Sequence, residues 1–190
     1  MSNTSIMIVG VGGQGTLLAS RVLGHALIGA GYDVKVSEVH GMSQRGGSVV
    51  TYVKYGEKVF SPIVDKGEAD YILSFEAVEG ARYIEMLKEG GTLITNTAEI
   101  YPITVITGAM TYPKDPTGKL AQKCDVKAVD ALALAQKAGS DKAVNTVLMG
   151  VLSRYMPEIS EDAWLGAIEK LVKPKFVELN KQAFLLGKNA

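Results

Sequence analysis

The sequence predicts an α/β protein in three layers: a mostly parallel sheet with helices on both faces, an antiparallel ribbon, and a helical cover at the C-terminal end. Three observations carry this. Short apolar runs alternate with helix-like runs up to about residue 140. A glycine-rich turn joins the first apolar run to the first helical one. Beyond residue 140 apolar residues recur at helical spacing in three consecutive segments.

Ile6-Met7-Ile8-Val9 is apolar, partly β-branched and ended by glycines, as a buried strand is. TLLASRVLGHALIGA (16–30) follows as a helix with Leu18, Val22, Ala26 and Leu27 at helical spacing. Arg21 and His25, four apart, share its solvent side, and Gly31 closes it. DVKVSEV (33–39) alternates and reads as a second strand. GSVVTYVKYGEKVF (47–60) reads as a strand, a Gly-Glu turn and a short return, an antiparallel ribbon. ADYILSF (69–75) is a further strand, and VEGARYIEMLKEG (78–90) a helix ended by Gly90. GTLITNT (91–97), ITVI (103–106) and DVKAVDA (125–131) are read as strands, the last leading into a helix. TYPKDPTGK (111–119) is a loop, a flap or a surface connection. Ser140 caps a helix carrying Val144, Val147, Leu148, Val151, Leu152 and Tyr155 on one face, stopped by Pro157. Ser160 caps a second, with Trp164, Leu165, Ile168 and Leu171, and Pro174 separates a third. No linker precedes this tail, so one domain over 1–190 is expected, with 140–190 packed on the rest.

The 190 residues are 47% hydrophobic, which argues for a packed core. Lys plus Arg and Asp plus Glu are 20 each, and this neutral balance argues against nucleic-acid binding as the main task. Cys124 is the one cysteine, so neither a disulfide framework nor a four-cysteine metal centre can be built within the chain. No apolar run reaches the roughly 18 residues of a membrane span. The first residues lack the basic and long apolar segments of a signal peptide. A cytoplasmic protein is expected, without membrane or nucleic-acid partners.

The chemistry concentrates in two loops. Gly10-Val11-Gly12-Gly13-Gln14-Gly15 fits G-x-G-x-x-G between a strand and a helix that begins at Thr16. Glycines let the backbone approach a ligand, and the unpaired amides at the helix start favour a phosphate or carboxylate. This makes the fold Rossmann-like. Dinucleotide binding also wants an acid at the end of strand two. Asp33 begins that strand and Glu38 ends it late, so neither fits cleanly. A turn that merely permits close packing remains open. After strand two comes His40-Gly41-Met42-Ser43-Gln44-Arg45-Gly46-Gly47-Ser48. In a parallel sheet the tips of strands one and two share an edge, so the two loops are expected to meet at one crevice. There Arg45 suits an anion, Ser43, Gln44 and Ser48 offer hydrogen bonds, and His40 titrates near neutrality. Packing, loop hydrogen bonds or an Arg45–Glu38 pair are the plainer roles. Glu76, Asn96 and Asn145 reach the same edge or act as caps and satisfied amides. Cys124 reads as a bystander. Trp164 and a Phe176/Phe184 pair read as core or subunit contact.

GVGGQG with its long helix, followed by SEVHGMSQRGGSVVTYVKYG, resembles the gamma domain of 2-oxoacid:ferredoxin oxidoreductases. The HGMSQRGG version is similar to the small (beta) subunit of the indolepyruvate-type enzymes. The motifs cover residues 10 to 56, and the βα pattern and helical tail agree over most of the chain. The resemblance implies a subunit of a complex that oxidatively decarboxylates an aryl 2-oxoacid onto coenzyme A (CoA) and reduces ferredoxin. It places thiamine diphosphate, magnesium and 4Fe-4S clusters on a large (alpha) partner. This chain has no GDG segment followed by paired asparagines, the thiamine-binding pattern. The resemblance further implies a heterotetramer of two large and two small chains; self-association of the isolated chain stays open. The candidate binding set is Gly10, Gly12, Gly13, Gln14, Gly15, Thr16, Glu38, His40, Gly41, Ser43, Gln44, Arg45, Gly46 and Gly47, holding the CoA side of the active site or shaping the partner interface. No catalytic residue or metal ligand is expected here. The alternatives are a free-standing NAD(P)-binding dehydrogenase and a pure assembly module.

Overall fold

The computed structural model describes residues 3–38 and 46–190. Strand β1 (Thr4–Val11) is apolar on both faces, and both are covered. Ile6 and Ile8 point into a cluster with Leu23, Leu148, Trp164 and Phe184. Met7 and Val9 point into a smaller one with Ile72, Leu93 and Leu120. This alternation sets the three layers. Helices α1 (Thr16–Gly29), α5 (Ala131–Ala138), α6 (Val144–Ser153), α7 (Glu161–Leu171) and α8 (Val177–Lys188) supply the large cluster; Leu120 of α4 (Pro116–Ala121) contributes to the other.

The sheet has the order β2-β3-β1-β4-β5-β6. Strands β4 (Ala69–Ser74), β5 (Leu87–Asn96) and β6 (Asp125–Val129) continue in parallel from β1. Strand β3 (Ser48–Gly56) runs antiparallel to β1 on one side and to β2 (Asp33–Glu38) on the other. Strand β2 therefore points the same way as β1, and their C-terminal tips share an edge, as expected, although β3 lies between them. The antiparallel element is thus β3 with its two neighbours. The expected return strand after Gly56 does not form: residues 57–60 leave the sheet.

Three further expectations are corrected. The helix expected over 78–90 is only α2 (Ala77–Arg82), followed by a single 3₁₀ turn, Ile84–Met86, and Gly90 lies inside β5. Leu87 already pairs with Ala69, and sheet pairing outweighs the helical propensity of the Met-Leu-Lys-Glu run. ITVI is not a strand but the short helix α3 (Ile103–Ile106), whose Val105 and Ile106 amides bond back to the Pro102 carbonyl. Within TYPKDPTGK a helix begins: Asp115 accepts from the Gly118 amide and Pro116 occupies the first helical position, so α4 starts there.

The tail is part of the core. Every residue of α6 from Asn145 to Ser153 is buried, and the backbones of α6 and α8 nearly touch. A Cβ built on Gly150 would overlap the Phe184 carbonyl oxygen, and one on Gly187 would overlap that of Val147. Glycine at these two points is what lets the helices close. Trp164 stacks on Phe184 with ring centroids 5.7 Å apart. Of the two phenylalanines read as core or subunit contact, Phe184 is in the core and Phe176 is exposed. Among the described residues no helix is long and apolar enough to cross a membrane.

Gly150→Ala gains helix propensity but forces α6 away from α8. The expected outcome is a loss of about 2–3 kcal/mol of stability and a thermal midpoint lower by roughly 4–12 °C. An unchanged or raised midpoint in calorimetry would mean that the two backbones do not approach this closely.

Candidate functional site

Strand β1 ends at Val11, and the chain turns back through a hydrogen bond from the Gln14 amide to the Val11 carbonyl (3.2 Å). Gly15 holds φ +87°, the left-handed region that disfavours a side chain, just before α1 begins. Helix α1 has no side-chain cap. The Gly13, Gly15 and Thr16 amides find no acceptor among the described residues. These donors lie at the positive end of the helix dipole.

Gln14 ties the turn to the sheet. Its Oε1 accepts from the Val11 amide (2.6 Å), and its Nε2 donates to the Phe75 carbonyl just beyond β4 (3.1 Å). Both ends of the side chain are thus engaged within the protein. Gly10 makes room for this: a Cβ there would press on Gln14 Oε1 at 2.8 Å and Phe75 Cβ at 2.9 Å. Asn145, at the start of α6, donates from Nδ2 to the Gly15 carbonyl (3.4 Å), while its Oδ1 accepts from the Thr146 amide (2.9 Å). Thr146 Oγ1 continues to Asn180 Oδ1 (2.6 Å), and Asn180 Nδ2 to the Phe176 carbonyl (2.8 Å). A buried polar chain therefore runs from the glycine turn to α8. Asn145 is both a satisfied amide and a contact of the crevice.

The second loop meets the first through its backbone. The Gly12 amide donates to the Gly47 carbonyl (2.8 Å), and the Gly46 amide to the Gly12 carbonyl (3.1 Å). His40, Gly41, Ser43, Gln44 and Arg45 lie outside the described residues. A cleft of about 260 Å³ opens between the turn at Gly12–Thr16 and a wall formed by Glu38, Val49 and Thr51. The Ser20 hydroxyl donates to Glu38 Oε1 (2.6 Å). The cleft thus has a donor wall of amides and helix dipole facing an acceptor wall of carboxylate. On the other side of the turn a second cleft, of about 610 Å³, is lined by Gln14, Asn96, Ile100, Leu132 and Asn145.

The same edge is stitched together across β4, β5 and β6. Asn96 donates from Nδ2 to the Phe75 carbonyl (3.3 Å) and accepts from the Ala131 amide (3.2 Å). Glu76 caps α2, accepting from the Glu79 amide (2.9 Å), and its other oxygen takes the Tyr112 hydroxyl. Glu79, buried, takes the Ser48 hydroxyl and Arg82 Nε (3.0 Å), which links the start of β3 to α2. Burial, then the Glu76 carboxylate, pushes the Tyr112 phenol well above its ordinary pKa. Glu79 and Tyr112 escaped sequence reasoning. The i,i+3 spacing of Glu76 and Glu79 in a capping position signals the helix, but nothing local reveals that Tyr112 folds back 36 residues. Cys124 immediately precedes β6, at the sheet edge opposite the crevice, and burial raises its thiol pKa.

A mixed α/β sheet with a glycine turn at the C-terminal strand edge, clasped to a second glycine pair, defines a Rossmann-like binding or assembly unit. Residues 5–190 match the family described as pyruvate ferredoxin/flavodoxin oxidoreductase, and the chain belongs to that family. It is homologous to the indolepyruvate oxidoreductase subunit IorB of Thermococcus kodakarensis, 46% identical over 195 residues spanning 100% of this chain and 96% of the relative. Its fold is shared with the keto/oxoacid ferredoxin oxidoreductase gamma subunit of Geobacter sulfurreducens: TM-score 0.73, 24% identity, 98% of this chain and 96% of that one. It is also shared with the 2-oxoglutarate:ferredoxin oxidoreductase of Magnetococcus marinus: TM-score 0.76, 16% identity, 100% of this chain but only 31% of that one.

Gln14→Ala removes both ties of the first turn and is expected to cost about 1–3 kcal/mol. Gln14→Glu keeps the acceptor for Val11 but sets a carboxylate oxygen against the Phe75 carbonyl, and so should cost more than the alanine. Urea unfolding of the two variants checks this order; equal stabilities would show that the Phe75 bond contributes nothing.

Proposed function

We propose that the chain is the small subunit of an indolepyruvate-type 2-oxoacid:ferredoxin oxidoreductase. The complex converts an aryl 2-oxoacid such as indolepyruvate, CoA and oxidised ferredoxin to acyl-CoA, carbon dioxide and reduced ferredoxin. The observation that carries this reading is the end-to-end similarity to an indolepyruvate oxidoreductase subunit. The whole chain acts as one domain, in a cytoplasmic heterotetramer of two large and two small chains.

The difficult chemistry belongs to the large subunit. One cysteine cannot ligate a 4Fe-4S cluster, and among the described residues no group of three or more His, Cys, Asp or Glu is placed to hold a metal ion. The large subunit holds thiamine diphosphate with magnesium, which supplies the decarboxylation chemistry, and the clusters that pass electrons to ferredoxin. The small subunit contributes position. Its amides at Gly13, Gly15 and Thr16, without an acceptor among the described residues, suit a phosphate of CoA. Gly10, Gly12, Gly46 and Gly47 form the scaffold of that notch, and His40, Gly41, Ser43, Gln44 and Arg45 are the further binding residues of this reading. Holding the acyl acceptor beside the reacting carbon turns a bimolecular transfer into an effectively unimolecular one.

The dehydrogenase alternative fits less well. In dinucleotide-binding sheets strand two lies next to strand one. Here β3 intervenes, and the acid at the end of β2 stands two strand spacings from β1, about 9–10 Å.

A calorimetric CoA titration of the assembled complex, with and without Arg45→Ala, tests the ligand role. Loss of one charge-assisted phosphate contact should weaken binding by roughly ten- to a hundredfold. Unaltered affinity together with failed assembly would assign the loop to the interface instead.

A further inference from the structure

Residues 100–113 read IYPITVITGAMTYP, fourteen residues without a charge between Glu99 and Lys114. They are not in the core. Ile103, Ile106 and Met110 are 69%, 67% and 63% exposed, and Ile100 and Tyr101 are exposed as well. The segment follows β5 and so leaves the sheet at the edge that carries the glycine crevice. Ile100 itself lines the larger cleft beside Gln14.

The segment is also folded. Pro102 caps α3, the Thr107 amide bonds to the Ile103 carbonyl (2.9 Å), and the Met110 amide to that of Thr104 (2.9 Å). Tyr101 and Tyr112 stack with ring centroids 4.9 Å apart, and the Tyr112 hydroxyl anchors the far end on buried Glu76. An apolar knob is thus held out in water in a fixed shape. Contiguous exposed apolar surface of this kind marks a contact site, and a preformed one loses little conformational freedom on binding.

We infer that the knob at 100–110 is the docking surface for the large, cofactor-bearing subunit, whose matching face is apolar and uncharged. This rests on the function proposed above. Two observations favour that occupant over a second copy of this chain. The knob adjoins the crevice, which on that reading must face the reacting centre of the large subunit. And the same fold makes up only about a third of a longer oxidoreductase chain, so there a unit of this kind occurs joined to a larger remainder. The large subunit is the corresponding larger partner, and charge-poor apolar contact is what permanent interfaces use at their centre.

The test is affinity purification of the tagged chain from its native cells, reading iron and the large polypeptide per mole of chain. Three forms are compared: the unaltered protein, the Ile103→Asp/Ile106→Asp double variant, and Phe60→Asp. Phe60 is 82% exposed but follows β3 off the opposite edge of the sheet. Two carboxylates in an apolar contact should lower recovered iron and large subunit at least about tenfold, while Phe60→Asp should recover as much as the unaltered chain. Hydrogen exchange gives a readout independent of substitution: amides 103–110 of the unaltered chain should slow at least about tenfold in the complex relative to the chain alone. Full recovery by the double variant, or unchanged exchange, overturns the docking surface while leaving the proposed function standing. Failure of the unaltered chain to bring down any iron–sulfur polypeptide overturns both. An isolated chain that is dimeric, and that the double variant makes monomeric, assigns the knob to self-association instead.

Discussion

Two backbone hydrogen bonds, Gly12 to Gly47 and Gly46 to Gly12, hold the site in its shape. They exist because β3 starts where β1 stops: Val11 pairs with Ser48 in the antiparallel register, so the residues just before β3 lie beside the glycine turn. A one-residue slip would turn Val49 and Val50 to opposite faces and part the turns at once. The register is specified from both sides of the sheet. Val50 belongs to the smaller cluster with Met7 and Val9, and Val53 to the larger one with Ile6 and Ile8.

Around this clasp the edge is held by polar side chains rather than apolar ones. Gln14, Asn96 and Asn145 each satisfy backbone groups of a neighbouring turn, and Glu76 and Glu79 gather α2, β3 and the segment after β5. Buried carboxylates and amides are tolerable because they are hydrogen-bonded. What the arrangement leaves open is therefore informative: amides at the start of α1, and apolar side chains on α3, with nothing among the described residues to meet them.

Much of this was legible in the sequence. Strand β1, helix α1 and the cap at Ser160 declare themselves by pattern, because each is a local choice between water and core, whereas Ser140 caps a 3₁₀ turn, Asp141–Ala143, that leads into α6 rather than α6 itself. The meeting of the glycine loops was legible too, since it needs only that strands one and two point the same way. What escaped was set by partners far along the chain. Leu87–Gly90 looks helical but is drawn into a sheet by Ala69. ITVI looks like a strand, but this β-branched run coils behind Pro102, whose carbonyl takes the Val105 and Ile106 amides. That Phe184 packs on Trp164 is set by the close approach of α6 and α8. The Asp-Pro start of α4 was the one local signal that went unread.

The seam between α6 and α8 also dictates when the protein can become itself during synthesis. Phe184 is fully buried against Trp164, and Val147 and Leu148 share its cluster, so the larger core stays incomplete until residues 177–188 have left the ribosome. A nascent chain presenting the glycine turn has no finished scaffold behind it.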